Sequence, residues 1–284
     1  MNLKGVKEKI VEAVVRASSI MTDDKKKIFQ NIIEEEKSAN AKWILEQMLE
    51  NAYIAEEQRS PMCDDTGVPH LLLEIGKGKS LTCDLLSLIE DAVRIGLKKL
   101  PGRPMAVLGD DIQRIEQSCG LDELSEAVVP APIIIKRVEE PILRLHILMQ
   151  GGGPEIRGLT KRVFHHHDIK TVEDEIVQWS IEAVRYLGCS PCTLAIGIGR
   201  SHLESTALMT EAQIYGRHGV QTPLEKSITQ RVNSCNVGPI GIGQGVSVLG
   251  TFIRIGPQRA SGVRIVSLRP CCYMEPRLAS VDIF

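Results

Sequence analysis

The chain has 284 residues, 43% hydrophobic and 25% charged, the balance of a globular protein with one large domain or two modest ones, which excludes a disordered scaffold or a fibre. Its 34 Lys and Arg nearly cancel 36 Asp and Glu, for a formal net charge of −2, so the basic excess that drives phosphate-backbone binding is missing and a nucleic-acid role is disfavoured. No run approaches the ~20 apolar residues of a membrane span, and MNLKGVKEKI opens an amphipathic pattern instead of a signal-peptide core, so a cytoplasmic protein away from the membrane is expected.

The first sixty residues carry helical apolar spacing at Val6, Ile10, Val14 and Val15, then at Ile28, Ile32 and Ile33, then at Trp43, Ile44, Met48 and Leu49. Asp23 and Asp24 are expected to cap the second helix. PMCDDTG at 61–67 breaks the pattern ahead of a strand, HLLLEIG, and residues 84–99 return to helix until PGRP at 101–104. Two β-like runs, APIIIKRVE and ILRLHILMQ, precede a glycine triplet at 151–153; glycines after a strand suit close backbone approach to a ligand or a mobile loop. A helix is expected from Val172 to Leu187 between Thr171 and Gly188, then CSPCTLAIGIG as a strand. Ser201 and Glu204 have capping-box spacing at the head of the next helix. PLEKSITQRVNSC reads as a further helix, GPIGIGQGVSVLG as a glycine-rich turn feeding a strand, and GVRIVSL as the last strand. The pattern implies an α/β (α+β) fold, a helical N-terminal region over about 1–60 followed by mixed sheet segments flanked by helices, with 1–284 as one functional domain.

Aromatics are 4% of the chain, so the core is aliphatic, and eight cysteines need a reason. Without a secretory signal they are expected to be reduced, buried, catalytic or metal-bound. Cys63, Cys189 and the Cys271–Cys272 pair fall in turns beside strands, whereas Cys83 and Cys119 have the surroundings of small buried thiols. Cys189 and Cys192 form a C-x-x-C, but no second pair suits structural zinc, and the motif closes a helix and opens a strand, the reverse of a thioredoxin-type redox pair. An iron–sulfur cluster held by three distant cysteines, with one iron open to substrate, is a third reading. His165, His166 and His167 are consecutive and cannot converge on one ion, and His202 has the place of a surface or capping residue.

CDDTG at 63–67 resembles the C-Q-D-T-G motif of the class I, iron–sulfur-dependent fumarases and tartrate dehydratases. The triplet at 151–153, GCSP at 188–191 with GIG at 197–199, and NVGPIGIGQGVSVLG at 236–250 resemble that family's further motifs in the same order. The resemblance covers the whole chain and the length of the family's α-subunit, or N-terminal half. It implies a 4Fe-4S cluster on Cys63, Cys189 and one of the terminal pair. Gly199 lies ten residues after Cys189, as in the family, which selects Cys189 over Cys192. The family has two basic residues four and five positions after its third cysteine; Pro276 and Arg277 hold those places after Cys272, while Arg277 is sixth after Cys271, so Cys272 is preferred and Cys271 stays open.

The implied activity is that of a hydro-lyase of fumarate hydratase or tartrate dehydratase type. Water is reversibly added to or removed from a small dicarboxylic 2-hydroxy acid, with the open iron as Lewis acid. The resemblance makes Asp65 the catalytic motif aspartate and gives Asp64, Arg103, Gly152 and Gly153 to substrate binding, Arg103 as a bidentate carboxylate partner and the glycines through backbone N–H groups. Asp64 stands where the family has Gln, Phe252 and Arg259 stand where it has histidines, and Pro154 follows the triplet. The chain stops at SVDIF without the family's C-terminal half, so a separate β-subunit carrying the rest of the active site is expected, in a dimer or heterotetramer. The alternative is a cluster-free relative serving as a binding or regulatory protein.

Overall fold

The structure, a computed structural model, describes residues 3–284; Met1 and Asn2, which begin the amphipathic opening, lie outside the described residues. The helical N-terminal region is present as α1 (Leu3–Ser19), α2 (Asp23–Glu35) and α3 (Ala39–Gln58). In α1 the expected stripe is buried. In α2 the buried positions are Lys25 and Phe29, one step around from the expected face, where Ile28, Ile32 and Ile33 are half-buried. The aromatic ring has the larger apolar area to remove from water and takes the core. Trp43 in α3 is 61% exposed, contrary to expectation. Asp23 and Asp24 lie inside the first turn, where carboxylates favour the helix dipole; the N-cap position is Thr22.

The chain continues through β1 (Val68–Ile75), α4 (Cys83–Lys99), α5 (Asp111–Glu116), β2 (Ile134–Arg137), β3 (Leu143–Gln150), α6 (Gly152–Glu155), β4 (Leu159–Phe164), α7 (Ile169–Leu187) and β5 (Cys192–Gly199). It ends with α8 (His202–Tyr215), α9 (Pro223–Asn233), β6 (Val248–Ile255), β7 (Val263–Cys271) and β8 (Arg277–Asp282). β4 and β8, at the sheet edges, were not legible as strands. α7 starts earlier than expected because Asp168, not Thr171, caps it, accepting from the Lys170 N–H at 2.9 Å. Ser201 caps α8 as expected, accepting from the Glu204 N–H, but the Glu204 carboxylate turns to the Arg200 N–H at 2.6 Å, so the capping box is half formed. No helix among the described residues is long and apolar enough to cross a membrane.

Two compact units divide the chain. The first comprises Met1–Met21, Ala52–Gly151 and Arg277–Phe284, the second Thr22–Asn51 and Gly152–Pro276. In the first, the sheet order is β2-β1-β3-β8, with β1 parallel to β2 and antiparallel to β3, and β3 antiparallel to β8. Alternate residues Leu71, Leu73, Leu145 and Ile147 point to one face, where Ile10 and Val14 of α1 and Ile89 and Val93 of α4 close the core. In the second unit the order is β4-β7-β5-β6, with β5 parallel to β6 and antiparallel to β7, and β4 antiparallel to β7. β5 is buried along its whole length, as its unbroken apolar run requires of a strand covered on both faces. Cys83 and Cys119 are exposed, contrary to expectation; Cys83 opens α4, and Cys119 belongs to residues 101–130, which bury no side chain.

Candidate active site

In the first unit, the loop between α3 and β1 carries Cys63, Asp64 and Asp65. Gly67 ends it at φ +83°, and a Cβ there would come within 2.5 Å of Arg277 Nη2 and 2.8 Å of the Gln150 carbonyl, so only glycine fits. Asp65 Oδ1 accepts from the Gly67 N–H at 3.1 Å, an Asx turn that fixes the carboxylate. The buried Arg277 guanidinium donates to the Asp65 carbonyl at 2.7 Å and the Met149 carbonyl at 3.2 Å, clamping this loop to β3. In the sequence Arg277 is only a register mark for Cys272; its role depends on a carbonyl 212 residues away. Cys63 is half-buried. Arg103 Nη1 donates to Asp64 Oδ2 at 3.5 Å, both side chains being largely exposed. Gly102 lets the Arg103 loop press on Thr66, whose Oγ1 a Cβ would meet at 2.5 Å. Asp64, Asp65, Cys63 and Arg103 thus share one surface of this unit.

In the second unit, Cys189 lies between α7 and β5, and Cys272 follows β7. The two turns are tied by the Tyr273 N–H donating to the Cys189 carbonyl at 3.1 Å. Cys189 is half-buried and Cys272 7% exposed, whereas Cys192 and Cys271 are sealed at 0%. Burial pushes the thiols of Cys192 and Cys271 up, and Cys271 Sγ donates to Gln213 Oε1 at 3.4 Å. These two are protonated core thiols, poor metal ligands, while Cys63, Cys189 and Cys272 lie in loops, Cys63 and Cys189 half-buried and Cys272 buried but not sealed. Among the described residues no group of three or more His, Cys, Asp or Glu side chains is close enough to hold a metal ion; a cluster spreads its thiolates farther apart than one ion does.

Gly152 and Gly153 open the single turn α6. A Cβ on Gly153 would meet nothing within 4 Å, so no protein atom requires glycine there. α6 ends in Glu155, whose carboxylate pairs with the Arg269 guanidinium of β7. Arg269 also donates to Glu275 at 3.2 and 3.3 Å, which joins the glycine turn to the Cys272 turn. Burial opposes the Arg269 charge, but Glu275 and its neighbours hold its pKa above the usual value.

The histidine segment is structural. Buried His165 bonds the Ser261 carbonyl through Nε2 at 2.8 Å and accepts the His167 N–H at Nδ1, at 2.9 Å. His218, unnoticed in the sequence, is buried between Thr193 Oγ1 at 3.0 Å and Asp24 Oδ2 at 2.8 Å, with Phe252 edge-on at 4.8 Å. Burial lowers its pKa despite the hydrogen bond it donates to Asp24, and although burial raises the Asp24 pKa, hydrogen bonds from His218 bring it to about 2.

A profile of the family described as Fumarate hydratase (Fumerase) matches residues 7–281. The chain is 26% identical over 262 residues to a Methanocaldococcus jannaschii protein provisionally named L(+)-tartrate dehydratase subunit alpha, covering 88% of each. It is 23% identical over 262 residues to the L(+)-tartrate dehydratase subunit alpha of Escherichia coli strain K12, covering 89% of this chain and 83% of that one. The same subunit of Shigella boydii matches to the same extent.

Proposed function

The chain belongs to the fumarate hydratase family, and on that premise we propose that it is the α-subunit of a hydro-lyase. It adds and removes water on a small dicarboxylic 2-hydroxy acid of the fumarate, malate or tartrate type, together with a β-subunit. The observation that carries this reading is the division of the thiols. The three cysteines in family-motif positions, Cys63, Cys189 and Cys272, lie in loops, while their neighbours Cys192 and Cys271 are sealed and protonated.

Cys63, Cys189 and Cys272 would hold a 4Fe-4S cluster, which when bound supplies a Lewis acid for the leaving hydroxyl. Arg103 binds one substrate carboxylate with its planar guanidinium, exchanging the Asp64 carboxylate for it. Asp65, held by the Gly67 N–H and through its carbonyl by Arg277, orients the hydroxyl or the water. The backbone N–H groups of Gly152 and Gly153 receive the second carboxylate, and open space at Gly153 leaves room for it. The relatives' naming as α-subunits supports a β-subunit partner, and the group that takes the proton from the neighbouring carbon is assigned to it.

Anaerobic co-purification with the candidate β-subunit tests the proposal. A brown protein whose visible absorbance disappears in Cys63→Ser, and which turns over fumarate, malate or tartrate only with the partner, is expected. A colourless protein without iron would overturn it and favour a cluster-free binding protein.

A further inference from the structure

Lys25 is a buried cation of the second unit with no part in that chemistry. Its side chain is 1% exposed, and Nζ donates to the carbonyl of Cys272 at 3.3 Å and to that of Glu275. An ammonium in a protein interior is costly, and burial draws this one down to about 8. A methionine would fill the same volume without that cost. The gripped turn closes on itself through the Glu275 N–H, which donates to the Cys272 carbonyl at 2.9 Å, and reaches Cys189 through Tyr273. Lys25 adds a tie from both ends of the turn to a helix distant in sequence. Its charge also faces the thiols of Cys272, Cys271 and Cys192.

We propose that Lys25 is the positioning residue of the candidate ligand Cys272: its ammonium fastens the Cys272–Glu275 turn to α2, fixes where the thiol is presented, and supplies positive charge to an anionic centre held there. The second half rests on the cluster reading above; the first does not. Hydrogen bonds and charges around a cluster's thiolates set its stability and potential.

Lys25→Met and Lys25→Arg in the full-length chain test this. In the metal-free protein, amide exchange at Tyr273 and Glu275 should rise by about tenfold or more in Lys25→Met, with β5 amides unchanged, and return towards the original rate in Lys25→Arg. After anaerobic reconstitution with iron and sulfide, Lys25→Met should lose its cluster to a chelator several-fold faster and show a lower reduction potential, both restored by Lys25→Arg. Unchanged exchange at Tyr273 and Glu275 overturns the proposal, and so does a rise that extends to β5, which would make Lys25 a general core residue. If the unaltered chain assembles no cluster, the cluster reading fails and the exchange measurement alone decides the role of Lys25.

Discussion

In the proposed site Asp64 takes up Arg103, the residue assigned to a substrate carboxylate, at 3.5 Å. An exposed pair of this kind is worth up to about 1 kcal/mol, so Asp64→Gln, which frees Arg103 and removes a like charge, should lower the substrate KM by up to about fivefold in the assembled enzyme. An unchanged KM would remove Asp64 from the binding surface, and a raised KM would make it a group that assists binding instead of a competitor for Arg103. Gly153 poses the opposite question, since no protein atom forbids a Cβ there. Gly153→Ala should leave the melting temperature level or slightly higher through the loss of unfolded-state entropy. If its N–H meets a substrate carboxylate, the added methyl obstructs that approach and KM should rise by about tenfold; a KM that stays put excludes the residue. Both residues were legible as candidates because motif and turn chemistry are local. The clamp of Arg277 on Asp65 was not, because nothing near Arg277 in sequence names the carbonyl it reaches.

At the scale of elements, the glycines of the GIG motif have a packing reason. α8 lies directly on β5, and a Cβ on Gly197 would sit 1.9 Å from the Ser205 carbonyl oxygen and 2.4 Å from the Met209 nitrogen. These are backbone atoms, so no side chain can yield. Gly197→Ala should destabilise the protein by about 3 kcal/mol, read as a fall in the urea midpoint at unchanged slope; a loss under about 0.5 kcal/mol would show that helix and strand separate easily. Helices and central strands were legible from their periods. α2 was misread in its face because apolar spacing cannot show which of two neighbouring stripes an adjacent layer will cover.

Across the whole molecule the same succession occurs twice. A helix is followed by a cysteine loop, a central strand, a helical crossover to a parallel strand, and a return strand antiparallel to the first: α3, Cys63, β1, α4, β2 and β3, then α7, Cys189, β5, α8 and α9, β6 and β7. Each unit thus sets one candidate thiol at the entry to its central strand, although no repeat shows in the sequence. Global stability should be acid-sensitive through His218, which is faced by Asp24, Lys25 and Arg217. Burial holds its folded pKa below the unfolded value of about 6.5, so its contribution is complete above that pH and declines as pH falls below it, by up to about 1.4 kcal/mol per pH unit. Asp24 acts in the same direction at lower pH, its contribution present above about 4 and lost as pH falls through about 2. The melting temperature of His218→Gln should therefore fall less steeply between pH 6.5 and 5 than that of the unaltered chain; parallel profiles would assign the acid sensitivity elsewhere.

By itself the sequence determined the α/β class, the order of the major elements and the placing of the motif cysteines in turns, since these follow from periodicity, capping and glycine or proline punctuation within a few residues, and it indicated the family through the resemblance of its motifs. Only the tertiary structure decided which thiols are sealed, that β4 and β8 complete the sheets, and that Lys25 and His218 are buried. Burial and the partnering of a charge depend on contacts between distant segments, such as Lys25 and the Cys272 carbonyl 247 residues apart, and no local pattern encodes them.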